Sequence, residues 1–139
     1  GFAFLFSDAQ NLSSRDGCFD SIVTSWFFDI IPRDFRETAR LMNVILESGG
    51  VWANIGQLGF EKNDLAQVYG PEEVKQILSE SGFEISFWDT PKIPYLQSPY
   101  SAVGRQDQIW VFTVRKIKQS KRPAVFEYWP PWLTSWDQP

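Results

Sequence analysis

The stretch FDSIVTSWFF, residues Phe19–Phe28, decides the fold of this chain. Its side chains are mainly β-branched and aromatic, and they alternate only weakly with polar ones. This pattern predicts a strand that is buried on both faces of a parallel sheet. Asp29 follows the strand, and Pro32 then opens a predicted helix with Asp34 in its first turn. A strand followed closely by an amphipathic helix is typical of an α/β layer.

Apolar residues recur at spacings of three and four in two predicted helices. A left-handed stop at Gly49-Gly50 is expected to end the first, and the second runs from Pro71 to Gly82. The predicted buried stripes consist of Phe35, Ala39, Met42, Ile45 and Leu46 in the first helix, and of Val74, Ile77 and Leu78 in the second. Each helix therefore has one face to place against a sheet.

Short apolar runs predict the other strands, and a proline-containing stretch at 89–107 predicts a long loop. The predicted strands are Phe2–Phe6, Val51–Gly56, Phe83–Trp88 and Gln108–Arg115. Strands alternating with helices predict a three-layer α/β sheet that is mainly parallel. No helix precedes the last strand, so we expect that strand to pair antiparallel. Ligands of such sheets bind at the carboxyl ends of the strands.

Composition narrows the function classes. The 139 residues suit one domain, and the absence of histidine excludes His-based triads and imidazole metal ligands, so no metal site is predicted. Cys18 cannot form an internal disulfide, which fits a reducing, cytoplasmic location. A net charge of −4 argues against nucleic acid as a partner, and no apolar run has the roughly 18 residues that cross a membrane. A solvated strand exit is the expected role of the basic cluster Arg115, Lys116, Lys118, Lys121 and Arg122.

Several motifs carry a resemblance to a known family. Asp8–Leu12 and Asp16–Val23 resemble the middle of a class I S-adenosylmethionine (SAM)-dependent methyltransferase. A closer resemblance is to the carnosine N-methyltransferase-like family. Its motif Phe/Trp-Asp-x-Val-x-Thr-x-Phe-Phe-x-Asp is similar to Phe19–Asp29, and its Gly-Gly-x-Trp-x-Asn-Leu/Ile-Gly-x-Leu motif is similar to Gly49–Leu58. Its Phe-x-Val-Arg-Lys ending is similar to Phe112–Lys116.

The resemblance implies a Rossmann-like SAM-methyltransferase sheet, of which this chain has the C-terminal half. The family's glycine-rich loop after its first strand has no counterpart here. Residues 1–118 are then the C-terminal part of a catalytic domain, and residues 119–139 are a Pro/Trp-rich tail. SAM is the implied cofactor, and the implied reaction transfers a methyl group to a nitrogen of a small peptide-like or imidazole-bearing substrate. Where the carnosine-binding enzymes carry a histidine and tyrosines, this chain has Phe60-Glu61 and Arg105–Asp107.

The resemblance also implies site residues, each of which has a plainer alternative. The cofactor would contact Asp8, Ala9, Gln10, Ser25 and Trp26, and the substrate would contact Asp29, Asn54, Gln57 and Phe60. Asp29 is the candidate catalytic residue, because methyl transfer needs an aligned nitrogen more than acid–base help. The alternatives are a turn for Asp8, a helix cap for Asp29, backbone hydrogen bonds for Asn54 and Gln57, and core packing for the aromatic rings.

A second function from another class stays open at this point. The chain could be a non-catalytic interaction module that keeps half of a methyltransferase fold and docks a partner through its aromatic tail. Half a sheet exposes an edge and an apolar face, which predicts either a homo-oligomer or a missing N-terminal segment. An NAD-dependent enzyme would need a fingerprint loop that the sequence lacks.

Overall fold

The computed structural model describes residues 3, 6–12, 14–28, 30–57, 65–95, 100 and 104–125. Most of the predicted strand Phe2–Phe6 lies outside this part of the chain. The described strands are β1 (Phe19–Ser25), β2 (Leu46–Gly56), β3 (Phe83–Asp89), β4 (Lys92–Tyr95), β5 (Arg105–Gln108) and β6 (Trp110–Lys116). The helices are α1 (Phe35–Ile45), α2 (Pro71–Glu80) and a short 3-10 helix (Leu65–Gln67).

Four strands form the main sheet in the order β1-β2-β6-β3. β1 pairs parallel with β2, whereas β6 pairs antiparallel with both β2 and β3. The three strands β1, β2 and β3 therefore share one direction, and β6 lies reversed between two of them. The predicted antiparallel last strand is confirmed. The prediction of mainly parallel pairing is wrong, because β6 separates β2 from β3.

Helix α1 begins at an aspartate cap. The Oδ1 atom of Asp34 accepts a hydrogen bond from the backbone N–H of Arg36 at 2.7 Å. The other carboxylate oxygen accepts a hydrogen bond from the Tyr69 hydroxyl at 2.7 Å, which ties the cap to the segment before α2. Asp34 thus fills the capping role that the sequence left open for Asp29.

Helix α1 ends earlier than the double glycine predicted. It stops at Ile45, and Leu46 already has the extended backbone of β2. The predicted stop is wrong: Gly49, at φ 79°, lies within β2, where the register with β1 shifts. The ammonium group of Lys116 donates hydrogen bonds to the carbonyl oxygens of Asn43 at 2.7 Å and Leu46 at 2.6 Å. These contacts supply partners for carbonyls that the end of a helix leaves open.

Both helices bury their apolar stripes against the same face of the sheet. Trp52 of β2 lies at the centre of this core, and its ring centroid is 5.1 Å from that of Phe112 and 5.7 Å from those of Phe28 and Phe83. The core is completed by Phe35, Ala39, Leu41, Met42, Ile45, Leu46, Tyr69, Val74, Ile77, Leu78 and Val114. The described residues therefore form two layers, and not the three that the sequence predicts.

The opposite face of the sheet is open among the described residues. Val23 of β1 is 74% exposed, Phe87 of β3 is 51% exposed and Ile55 of β2 is 42% exposed. The prediction that the β1 stretch is buried on both faces is wrong, because neither helix covers this side. In the part of the chain described, β1 also has a single strand neighbour, β2.

The stretch predicted as one long loop contains a β-hairpin. β4 and β5 pair antiparallel with Pro94 opposite Gln106 and Ile93 opposite Asp107. Proline is tolerated here because a two-stranded hairpin consists of edge strands only. Among the described residues, no helix is long and apolar enough to cross a membrane.

Candidate functional site

The carboxyl ends of β1 and β2 meet at a strained turn. Trp26, the residue after β1, has a left-handed backbone with φ 49°, which is uncommon for a bulky side chain. Its N–H donates a hydrogen bond to the Ile55 carbonyl at 2.9 Å. Gly56, at φ 136°, permits this approach, because a Cβ atom there would lie 2.8 Å from the Trp26 nitrogen. Such strain clusters at functional sites, where the surrounding structure holds it in place.

An apolar groove of about 420 Å³ runs along the outer edge of β1. Ala9 and Ser25, both predicted cofactor contacts, lie in its lining together with Leu12 and Phe27. Met42 of α1 lines the groove as well. The volume falls within the roughly 300–1,000 Å³ that is usual for small-ligand sites. The groove thus brings together two segments that are distant in sequence, 9–12 and 25–27.

Asp8 forms a local turn. Its Oδ1 atom accepts a hydrogen bond from the Gln10 N–H at 2.9 Å, and its Oδ2 atom accepts one from the side-chain amide of Asn11 at 2.8 Å. The turn that the sequence offered as an alternative is therefore present. It fixes the backbone around Ala9, whereas the side-chain oxygen of Gln10 is buried without a hydrogen-bond partner among the described residues.

Asn54 belongs to a buried polar network. Its Oδ1 atom accepts a hydrogen bond from the Thr24 hydroxyl at 2.8 Å, and its amide nitrogen donates to the Trp110 carbonyl at 3.2 Å. The Trp52 indole N–H donates to the same hydroxyl at 3.0 Å. This network joins β1, β2 and β6 beneath the strand ends, so the amide of Asn54 is engaged in holding the sheet together.

Gln57 contacts a residue that the sequence did not single out as a site residue. Its amide nitrogen donates a hydrogen bond to the Oδ2 atom of Asp107 at 2.8 Å. The Oδ1 atom of Asp107 accepts from the Nε atom of Arg105 at 2.5 Å. Asp107 is only 6% exposed, and a buried carboxylate requires partners of this kind. The hairpin thereby places a buried acid against Gln57, the residue that follows the end of β2.

Two of the predicted site residues remain. Asp29 and Phe60 lie outside the described residues. Of the aromatic residues near β1, Phe28 packs in the core, 5.3 Å from the ring of Phe35, whereas Phe27 lines the groove. Sequence reasoning missed Asp107 because the stretch around it was interpreted as a loop. The sequence analysis named Asp107 only as part of the stretch Arg105–Asp107, where this chain departs from the family's tyrosines.

Similar solved structures share this fold. A SAM-dependent methyltransferase from Methanosarcina mazei matches with a TM-score of 0.58 and 15% identity, over 83% of this chain and 66% of its own. One from Thermotoga maritima, a possible histamine N-methyltransferase, matches with a TM-score of 0.55 and 20% identity, over 81% of this chain and 63% of its own. The [4+2]-cyclase SpnF matches with a TM-score of 0.53 and 14% identity, over 83% of this chain and 55% of its own.

These likenesses establish the fold, which is the Rossmann-like sheet of SAM-dependent methyltransferases. The chain spans less than two thirds of the length of each of these three neighbours. No family model matches the sequence, and the search of curated proteins found no match. A cyclase among the neighbours shows that this fold also hosts other reactions.

Proposed function

We propose that this chain is part of a SAM-dependent methyltransferase and holds the adenine side of the cofactor. The observation that carries the proposal is the groove in which Ala9 and Ser25 lie together. Its apolar lining suits a flat heterocycle, and it ends beside the strained Trp26 turn. Bound SAM would supply an electrophilic methyl group on a sulfonium. The chain's own residues would bind the cofactor, shield its methyl group from water and orient the methyl acceptor.

Two segments of the chain would contact the cofactor. The Asp8 turn sets the backbone of Ala9 against the groove, and the end of β1 supplies Ser25 to its lining. Trp26, which does not line the groove, follows at the strained turn and stays a predicted contact. The predicted contacts of Asp8 and Gln10 with the adenine remain proposals. In the structure, the Asp8 carboxylate serves the turn itself, so backbone groups are the better candidates for hydrogen bonds to the ring.

The methyl acceptor is proposed to be a nitrogen in a small peptide-like or imidazole-bearing compound. Asp107 supports this choice because its buried carboxylate, held by Gln57, is suited to accept a hydrogen bond from an amine or imidazole N–H. Asp29 remains the predicted orienting residue, and Asn54 and Phe60 remain predicted substrate contacts. Alignment of the nitrogen with the methyl group would be the main contribution of these residues. A cytoplasmic location stays part of the proposal.

Calorimetric titration with S-adenosylhomocysteine, the product form of the cofactor, tests the cofactor site. Ala9→Phe fills the groove and should weaken binding by at least tenfold, which corresponds to about 1.4 kcal/mol. Ala66→Phe changes an exposed alanine that does not line the groove and should leave binding unchanged. Equal affinities for the two variants would contradict the proposal.

Methyl-transfer assays test the acceptor. Histamine and histidine-containing dipeptides, supplied with labelled SAM, should be methylated on nitrogen by this chain, or by any longer protein that contains it, once cofactor binding is shown. Asp29→Asn should lower kcat and leave the affinity for S-adenosylhomocysteine unchanged. Methylation confined to oxygen or carbon acceptors would overturn the nitrogen assignment and leave the cofactor site standing.

A second candidate function is a non-catalytic interaction module. The observation that favours it is the open edge of β1, which among the described residues pairs with β2 alone, next to the exposed Val23. A polypeptide strand could add to such an edge. Sedimentation analysis distinguishes the cases: a module or homo-oligomer predicts concentration-dependent association that S-adenosylhomocysteine does not affect.

A further inference from the structure

Arg33 is a buried arginine that joins three segments. The residue as a whole is only 3% exposed, so its charged side chain lies inside the protein. Nη1 donates a hydrogen bond to the Gln10 carbonyl, and Nη2 donates to the Ala124 carbonyl at 2.8 Å. Nε lies 3.3 Å from the carboxylate of Glu37 in α1. A buried charge of this kind is tolerated when it is both paired and hydrogen-bonded.

Arg122 contacts the same loop at residues further along the chain. Nη1 donates to the Leu12 carbonyl at 3.2 Å, and Nη2 donates to the Ser14 carbonyl at 2.9 Å. Nη2 also lies 2.6 Å from the Oδ1 atom of Asp16. The planar fork of arginine allows one side chain to hold several acceptors at fixed angles, which lysine cannot do.

These two arginines act through one piece of chain, residues 121–125, which we call the strap. The strap supplies Arg122 directly and accepts the Arg33 bond at Ala124. A small cavity between strap and loop is lined by Gln10, Asn11, Leu12, Arg33, Leu41, Arg122, Pro123 and Val125. Arg122 and Lys121 are both exposed, as a solvated strand exit predicts, although Arg122 is also hydrogen-bonded to the loop. The expectation is wrong for Lys116, which is buried.

We propose that Arg33, Arg122 and the strap position the loop of residues 8–12 for cofactor binding. The loop has no strand or helix of its own, so its place depends on the groups that hold its carbonyls. Ala9 lies between the Asp8 turn and the two held carbonyls of Gln10 and Leu12. Loss of either arginine contact would let Ala9 shift away from the groove. The inference rests on the proposed function, and the two arginines are positioning residues, not cofactor contacts.

The test compares Arg122→Gln with Lys121→Gln, which removes the same charge one residue away. Hydrogen–deuterium exchange on the cofactor-free chain should show faster exchange in the peptide spanning 8–14 for Arg122→Gln and no change for Lys121→Gln. Affinity for S-adenosylhomocysteine should fall about tenfold in the first variant only. The exchange of α2 should remain unchanged in both variants and report an intact fold.

The outcomes separate the two proposals. Unchanged hydrogen exchange at 8–14 in Arg122→Gln would overturn the positioning role, whether or not the variant binds S-adenosylhomocysteine. Faster exchange with unchanged affinity would also overturn it, because the loop would then not matter to the cofactor. Faster exchange in a protein whose parent form does not bind S-adenosylhomocysteine would refute the proposed function and keep the strap as a brace. Arg122→Lys keeps the Asp16 contact but not both carbonyls, so we expect an intermediate affinity.

Discussion

At the amino ends of β2 and β3, buried polar groups are matched by backbone partners, whereas at the carboxyl ends of β1 and β2 the backbone is strained. Asn43, at the first end, donates its amide to the Lys118 carbonyl at 2.9 Å and accepts from the Ser120 N–H at 2.8 Å. Trp26, at the second end, keeps a left-handed backbone pressed against Gly56. The first arrangement stabilises the fold, and the second is the kind found at functional sites.

Because of this difference, we expect substitutions at the two ends to differ in their effects on stability and on ligand binding. Changes at the amino end should alter the free energy of unfolding and have little direct effect on ligands. Changes at the carboxyl end should alter binding at a smaller cost in stability.

Gly82→Ala should destabilise the chain most, by about 3 kcal/mol. Gly82 has φ 85°, and a methyl group there would overlap the carbonyl oxygen of Lys118 and lie 3.1 Å from the Asn43 amide. Urea unfolding followed by tryptophan fluorescence measures the effect. Gly49→Ala is the matched control, since Gly49 shares the positive φ but has no atom within 4 Å of an added Cβ. Similar losses in both variants would mean that the φ angle matters and the contact does not.

Asn43→Ala should cost about 2 kcal/mol, because it leaves the partly buried Ser120 N–H and Lys118 carbonyl without their Asn43 partner. The same unfolding experiment applies. Asn43→Asp keeps the acceptor for Ser120 but turns a carboxylate oxygen toward the Lys118 carbonyl, so a loss at least as large is expected. A cost below that of an average surface substitution would show that the network does not stabilise this end.

Asp107→Asn tests the other end, with an expected stability loss of about 1 kcal/mol, because its Arg105 partner remains solvated. The larger effect should be on the methyl acceptor, whose KM should rise about tenfold if the carboxylate receives its N–H, a loss of about 1.4 kcal/mol. Affinity for S-adenosylhomocysteine should stay constant. A stability loss as large as that of Gly82→Ala, with an unchanged KM, would make Asp107 a structural residue.

The smallest expected effect is a pH dependence of the free energy of unfolding, caused by Lys116. Burial lowers the pKa of Lys116 from 10.5, and the nearby Asp16 carboxylate partly opposes this shift. Between the lowered pKa and 10.5 the unfolded chain binds more protons than the folded one, so the unfolding free energy contributed by Lys116 rises with pH. Relative to Lys116→Met, the parent chain should gain stability over that range. Lys118→Met, at an exposed lysine, is the control, and a falling difference would contradict the burial argument.

The elements that could be predicted from the sequence are those whose apolar residues repeat at a regular spacing within the element itself. The helical stripes of α1 and α2 and the antiparallel last strand follow directly from residue spacing and connection type. Residues whose partners lie far along the chain could not be predicted in this way. Lys116 reaches the end of α1 some 70 residues earlier, and Arg122 reaches Leu12 across 110 residues. Their contacts depend on tertiary packing, which no local pattern encodes.

The candidate site shows the same division. Ala9 and Ser25 were named from motif resemblance, and the structure places both in one groove. Asp107 was missed because prolines around it indicated a loop, although proline is compatible with the exposed strands of a hairpin. The layer count was also wrong, since covering the second face of the sheet requires elements that the described residues do not include.

Mapping of S-adenosylhomocysteine by amide chemical shifts tests the central claim most directly. The method detects weak binding, which suits a chain shorter than its structural neighbours. Our account predicts shifts at Ala9, Ser25 and Trp26 that saturate with ligand and disappear in Ala9→Phe. Shifts confined to the open sheet face around Phe87, or none at millimolar ligand in either this chain or a longer natural form, would contradict it.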